Sequence, residues 1–382
     1  MMKKLAYSLS AALLALTIMP WQVSTANAAD VVTTTTPITT EVTVQTEANF
    51  KNADDVNSFV IQAARNHVSV INMSVKQDSD VNGSSGYAFY DSKIAPEAEG
   101  YTDFDALAAV IEKAHEYGIK VQAWIPQFQD KAAIGVNSSW QMRTINDNGN
   151  ISTYTGQNGS SYYVNPFDAD VQSYERSIVK EVVTNYNVDG VVLSGMDFDT
   201  NRVDMNTTTI SQFRSTNNVD PKKIDFTKSS SNSKIAQWNQ WKSDQLANYI
   251  TEVSTDIKTI KPDLTVGVYS NVSNTEGTTP NVAAYSSSVN FITPVADYQQ
   301  LGRNIDWVYS KDGVISQAQA GDTVDTKQTI IPALSAGLTN DASVQIYNGL
   351  HSTQSDITTV NYVATGEFTE AMLNSIGTRV NY

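Results

Sequence analysis

Cysteine is absent from all 382 residues. That removes disulfide scaffolds, thiolate nucleophiles and zinc–thiolate sites from consideration. Histidine is nearly absent too, with only His67, His115 and His351. No Gly-x-Ser-x-Gly elbow occurs either, so a Ser-His-Asp hydrolase is poorly supported. His115 stands in Ala114-His-Glu-Tyr-Gly118 at the end of a predicted helix, where capping or packing is its expected role. Basic residues are scarce, 25 against 40 acidic, for a formal net charge of −15. Nucleic acid and anionic membrane both demand a basic face, so neither is an expected partner. No spacing reads as a metal site, because Asp197-x-Asp199 alone is too common a pattern to count. No cofactor is called for. Carboxylates, tyrosines and asparagines are left to carry any chemistry.

The long apolar run from Leu5 to Met19 follows Lys3-Lys4 and precedes Ala26-Asn27-Ala28. A positive start, an apolar middle and a small-x-small end read as a secretory signal peptide over residues 1–28. It is too short and wrongly flanked for a stable membrane span, so none is expected after its removal. The expected location is therefore secreted, extracellular or associated with the cell envelope. Cleavage after Ala28 leaves 354 residues and removes two lysines, taking the formal charge to −17. Residues 29–40 are Thr-rich and read as a flexible linker. Residues 41–382 are then long enough for one large barrel or two ordinary domains.

What is present in that stretch alternates between two periodicities. From Val171 the apolar residues Val171, Tyr174, Ile178, Val182 and Tyr186 recur every three or four positions, one stripe of a helix. A turn over 187–190 leads into Val191-Val-Leu193, the β-branched run of a strand covered on both faces. The polar mouth Ser194-Gly-Met-Asp-Phe-Asp199 follows directly. Further strands are predicted at 41–45, 68–75, 119–125, 264–270, 289–294, 328–334 and 358–363. Helices are predicted at 54–66, 103–117, 235–261 and 369–376. Residues 131–161 and 201–234 read as polar loops, inserted after the third and fourth strands, and loops of such length are usually functional or mobile. Eight short strands alternating mostly with helices predict an α/β chain folded as a single (β/α)8 TIM barrel. In such barrels the chemistry sits at the C-terminal ends of the strands.

Four segments in order carry a family resemblance. They are Tyr101-Thr-Asp-Phe-Asp-Ala-Leu107 through Trp124, Asn165-Pro166 through Gly190, Trp238-Asn-Gln-Trp241 with Ile260-Lys-Pro-Asp263, and Phe291-Ile-Thr-Pro294 with Tyr298. Together they resemble the glycosyl-hydrolase-like-10 type family of secreted bacterial barrels, which includes cell-envelope glycan hydrolases. A more distant similarity is to hydrolase domains acting on poly-N-acetylglucosamine. The resemblance implies a glycoside-hydrolase-like barrel with a polysaccharide substrate or ligand, such as peptidoglycan glycan strands or a related N-acetylhexosamine polymer. It also marks a departure. Where the family carries one or two aspartates just after its Asp-Gly, this chain reads Ser194-Gly195, and neither can act as a general acid.

Glycoside hydrolysis usually needs two carboxyl groups, about 5 Å apart for retention and roughly 6.5–9.5 Å apart for inversion. The strand-end candidates are Asp78, Asp130, Asp197, Asp199, Glu276, Asp297 and Glu367. Asp197 is the expected nucleophile or base and Asp297 its expected partner, since both follow buried strands at once. The alternative for Asp197 and Asp199 is that they are solvated loop acids. Tyr87, Tyr90, Trp124 and Tyr298 offer flat faces for sugar rings, with Gln127 and Asp199 as polar contacts; simple core packing is the alternative, above all for Trp124. Trp140 could stack in the same way, whereas Trp238 and Trp241, three apart on a helix, are expected to pack. Asp189 precedes the strand and is expected to serve stability at the bottom of the barrel, and Asn165 or Asp168 to cap a helix. Three functions stay open: a hydrolase, a degenerate barrel that binds glycan without cleaving it, and a surface structural protein.

Overall fold

The structure, a computed structural model, describes residues 38–78, 84–156, 159–229, 232–274, 277–319, 328–353 and 356–379. The expected signal peptide and almost all of the expected linker lie outside the described residues, as does Glu276. Thr39 and Thr40, assigned above to the linker, already belong to the first strand.

Eight parallel strands form the centre: β1 Thr39–Val44, β2 Val68–Ser74, β3 Lys120–Pro126, β4 Gly190–Ser194, β5 Thr265–Ser270, β6 Phe291–Pro294, β7 and β8 Thr359–Val363. The seventh was expected to run unbroken over 328–334. It is instead two pieces, Thr329–Ile330 pairing with β6 and Ala333–Ser335 pairing with β8. Pro332 lies between them, and proline has no N–H to give a ladder. A parallel bridge between Val295 and Ala333 joins the second piece back to the end of β6, so the two edges of the sheet meet through β7. The single barrel is the predicted architecture.

Successive residues of a strand point to opposite faces, and here both faces are covered. One set, including Val42, Ile71, Met73, Val121, Val191, Val266 and Ile292, packs outward in the main core against the helices. Those helices include α1 Ala53–Arg65, α2 Ala106–Glu116, α3 Ala169–Asn185, α4 Ser233–Ile260, α5 Asn340–Thr353 and α6 Glu370–Arg379. The other set fills the lumen. Trp124, Val192, Phe291 and Ile331 make a separate apolar cluster, while Glu41 with Asn72 and Thr43 with Asn361 bond across the neighbouring strands at 3.2 and 3.0 Å.

Both predicted polar loops contain structure. Residues 131–161 hold a short helix, Lys131–Val136, and an antiparallel hairpin of Arg143–Ile145 with Ile151–Thr153. Residues 201–234 hold a helix, Thr207–Asn217, whose Phe213 is buried edge-on against Trp238 and Trp241. Those two tryptophans stack on each other at 5.7 Å, in the packing role expected of them. Asp168 caps α3, accepting from the backbone amides of Asp170 and Val171. Asp189 accepts from Val121 N and lies 2.8 Å from His115 Nε2, tying α2 to the bottom of the barrel.

Candidate functional site

The site is built from strand ends. At the end of β4 the chain turns at Gly195, with φ of +73°. Glycine adopts this left-handed conformation without the Cβ penalty other residues meet. The turn buries Met196 and leaves Asp197 lining a cleft of about 430 Å³. Asp78 after β2, Trp124 and Pro126 of β3, Gln129, Ser194, Tyr269 of β5 and Asn271 line it too, with Val295, Gln300 and Leu301 from the segment after β6. The floor is aromatic. Trp124, 5% exposed, packs on the Tyr269 ring at 4.5 Å between centroids, above Val192, Phe291 and Ile331.

Two carboxyls in this cleft are held unusually basic. Asp197 accepts from Ser270 Oγ at 2.8 Å and from Asn271 N at 3.0 Å. Removal from water nonetheless outweighs those two donors and pushes its pKa up from 3.8 to about 6. Asp78 goes further, to about 7, because burial is joined by the like charge of Glu47 on the short helix Thr46–Asn49. Glu47 is itself pushed up by burial. Asp78 Oδ1 and Asn271 Oδ1 are sealed from solvent with no hydrogen-bond partner among the described residues. None of Glu47, Asp78 and Asp197 has a cation within ion-pair distance among the described residues. Burial and the nearby charges of Asp197, Asp297 and Asp78 likewise push the Tyr269 hydroxyl up, so it stays protonated.

The wall beside the cleft rests on a buried ion cluster. Lys76 Nζ lies 2.8 Å from Asp130 Oδ2 and 2.6 Å from Glu175 Oε2, all three side chains fully enclosed. The two carboxyls hold the Lys76 ammonium charged despite its burial. Asp130 also caps the helix Lys131–Val136 by accepting from Ala133 N at 2.6 Å. The chain passes so close at Gly86 that a Cβ there would sit 1.9 Å from Asp130 Oδ1.

The other expected site residues fall in several places. Asp297 stands after β6, partly exposed, accepting from Gln300 N at 3.0 Å; it is not among the residues lining the cleft, although its charge reaches Tyr269. Tyr298 is partly buried beside it, and Tyr87 is partly buried on the core near β2. Asp199 is exposed and bonds the Tyr154 hydroxyl. Glu367 is exposed on a separate cleft beside α1. Trp140 packs on Tyr174 at 5.5 Å. Two expectations need correction. Tyr90 is fully buried, its hydroxyl donating to Glu181 Oε2 at 2.9 Å and its ring edge-on to Tyr186, so it presents no face to a ligand. Gln127 is fully buried as well, accepting from the Tyr249 hydroxyl and donating to Ile125 O at 2.8 Å. Sequence reasoning gave no weight to Tyr269, Ser270 and Asn271, nor to Lys76 with Glu175. The last is an acid on the buried side of α3, a position whose polarity was the available signal.

Among the described residues, no three His, Asp or Glu side chains converge on a point that could hold a metal ion, and no helix is long and apolar enough to cross a membrane. Fold and cleft define a class: (β/α)8 barrels that carry carboxylates at the C-terminal mouth. Within it, the chain belongs to the glycosyl hydrolase-like 10 family, the match running over residues 26–359. An S-layer-related protein of Niallia circulans is 28% identical over 189 residues, 44% of this chain and 11% of that protein. Glycosyl hydrolase DigH of Escherichia coli K12 is 26% identical over 196 residues, 48% of this chain and 41% of that protein. The matched stretches thus cover well under half of either relative. Among solved structures, the PgaB (BpsB) glycoside hydrolase domain of Bordetella bronchiseptica superposes with a TM-score of 0.66 over 85% of this chain and 94% of that one, at 15% identity. An α-L-fucosidase of Paenibacillus thiaminolyticus gives 0.57 over 90% and 49%, at 17% identity. These two likenesses concern the fold.

Proposed function

We propose that the protein is a secreted glycoside hydrolase that cleaves a cell-envelope polysaccharide, with glycan strands of peptidoglycan or a related N-acetylhexosamine polymer as its substrate class. The observation that carries this reading is Asp197: a carboxyl fixed by two donors in a cleft at the barrel mouth, above an aromatic floor. A carboxylate positioned in this way can attack an anomeric carbon or deprotonate a water. Trp124 and Tyr269 suit the C–H faces of a pyranose, while Gln129, Ser194 and Asn271 suit its hydroxyls. Tyr87, Tyr298 and Asp199, away from the floor, would meet flanking sugars. Family membership and the names of the two curated relatives support an envelope polysaccharide.

A second reading has its own observation. Ser194-Gly195 occupies the place of the family's acids, which favours a barrel that binds glycan without cutting it. Incubating the chain lacking residues 1–28 with peptide-free glycan strands separates the two. New reducing ends that disappear in Asp197→Asn are expected. Binding with no new reducing ends would establish the second reading.

A further inference from the structure

The cleft holds a second carboxyl that differs from the one expected from the sequence. Asp297 lies outside the lining and is engaged in capping its own turn. Asp78 is in the lining, delivered by β2, with β3 intervening between its strand and the β4 that delivers Asp197. One Asp78 oxygen is sealed from solvent and unpartnered among the described residues, whereas both oxygens of Asp197 are occupied. A hydrogen-bonded carboxylate suits a nucleophile or base. A carboxyl in the same lining with no side-chain donor and no cation among the described residues suits a proton carrier.

We propose, resting on the hydrolase reading above, that Asp78 is the general acid that works with Asp197 in the cleft. In the bond-breaking step the Asp78 proton passes to the glycosidic oxygen, which takes the electron pair of the C1–O bond. Asp197 supplies the opposing electrons at C1, either directly or through a water it deprotonates. In the first case a later water replaces Asp197 at C1 and its proton restores Asp78. In the second, the water's hydroxide stays on C1 and its proton stays on Asp197. Both routes add one water overall. The groups that act on Asp78 agree with this role: Glu47 is a like charge, and Tyr269 in the same lining stays neutral. The resulting pKa of about 7 leaves Asp78 protonated through mildly acidic pH.

The test compares Asp78→Asn, Asp197→Asn, Asp297→Asn and Glu47→Gln in the chain lacking residues 1–28. Two substrates are needed: peptide-free glycan strands, and an N-acetylglucosamine oligosaccharide carrying a 2,4-dinitrophenyl leaving group that departs without a proton. Asp78→Asn is expected to lose about 10²–10⁴-fold on glycan strands, the usual worth of a general acid, and less than about tenfold in the first-turnover release of dinitrophenolate, the one step that needs no proton. Asp197→Asn should lose activity on both, and Asp297→Asn at most about tenfold on either. Glu47→Gln should move the alkaline limb of the wild-type pH profile to lower pH, which loss of structure alone would not do. Cooperative melting and retained glycan-strand binding confirm that the variants fold. An Asp78→Asn protein within about threefold of wild type on glycan strands overturns the proposal, as does a first-turnover release of dinitrophenolate slowed as much as glycan cleavage. A wild type that cuts neither substrate removes the hydrolase reading and this assignment together, so the two failures are told apart.

Discussion

Acids are buried in two neighbouring regions of this molecule, with a lysine among them in one and, among the described residues, no cation in the other; burial pushes Glu175 of the first up to about 8 even so. Asp130 and Glu175 share a lysine and are fully enclosed. Asp78, Glu47 and Asp197 have no cation within ion-pair distance among the described residues, and Asp78 and Asp197 line the cleft. A buried ion pair trades desolvation against attraction, and its partners become costly only when one is removed. Uncompensated carboxyls stay costly whenever they are charged, and perturbed carboxyls gather at functional sites. The first region is therefore architecture that fixes the wall of the mouth. The second is where the proposed chemistry is assigned.

That contrast can be broken most severely at the lysine. Lys76→Met would leave two enclosed carboxyls with no counter-charge, and we expect a loss of about 3–5 kcal/mol in unfolding free energy, read by denaturant titration. A loss below about 1 kcal/mol would mean the cluster is no more than a surface-type pair. At the cleft the sign should reverse. Asp197 binds its proton more tightly in the folded protein than in the unfolded chain, because its pKa is raised to about 6 from 3.8. Its contribution is favourable at low pH and is lost as pH rises through about 6, with Asp78 extending the decline to about 7. Asp197→Asn keeps a partner for Ser270 and for Asn271 N while removing the charge. We therefore expect it to be more stable than wild type at about pH 8, by on the order of 1 kcal/mol, and to flatten the pH dependence of melting. Lower stability than wild type at that pH would contradict a destabilising charge. The smallest effect belongs to Tyr90→Phe. It removes one bond to Glu181 and should cost about 0.5–1.5 kcal/mol with hydrolysis of glycan strands unchanged. A large loss of activity there would place Tyr90 back in contact with substrate.

The barrel was readable because short β-rich runs bounded by turn residues alternate with helical stripes, and a run such as Val191-Val-Leu193 is typical of a strand covered on both faces. Boundaries came within a few residues. The break in β7 was written as Pro332 but outweighed by the apolar residues around it. α5 went unread because its buried face is built from Ser343, Ile346, Gly349 and Leu350, too sparse a stripe to stand out. At the site, Asp197 was legible from position alone, as the acid that follows a buried strand. Tyr90 and Gln127 were misplaced because a loop has no period from which to tell inward from outward. Lys76 and Glu175 meet across about a hundred residues of chain. Nothing local in either segment announces that meeting.

The left-handed turn at Gly195 has a consequence for substitution. An aspartate substituted there, where the family's acids stand, would need φ near +73° and would bring its Cβ within 3.0 Å of Gln127 N. That conformation costs an ordinary residue about 1–2 kcal/mol before any contact is counted. An aspartate at this position is thus uphill in the fold as it stands.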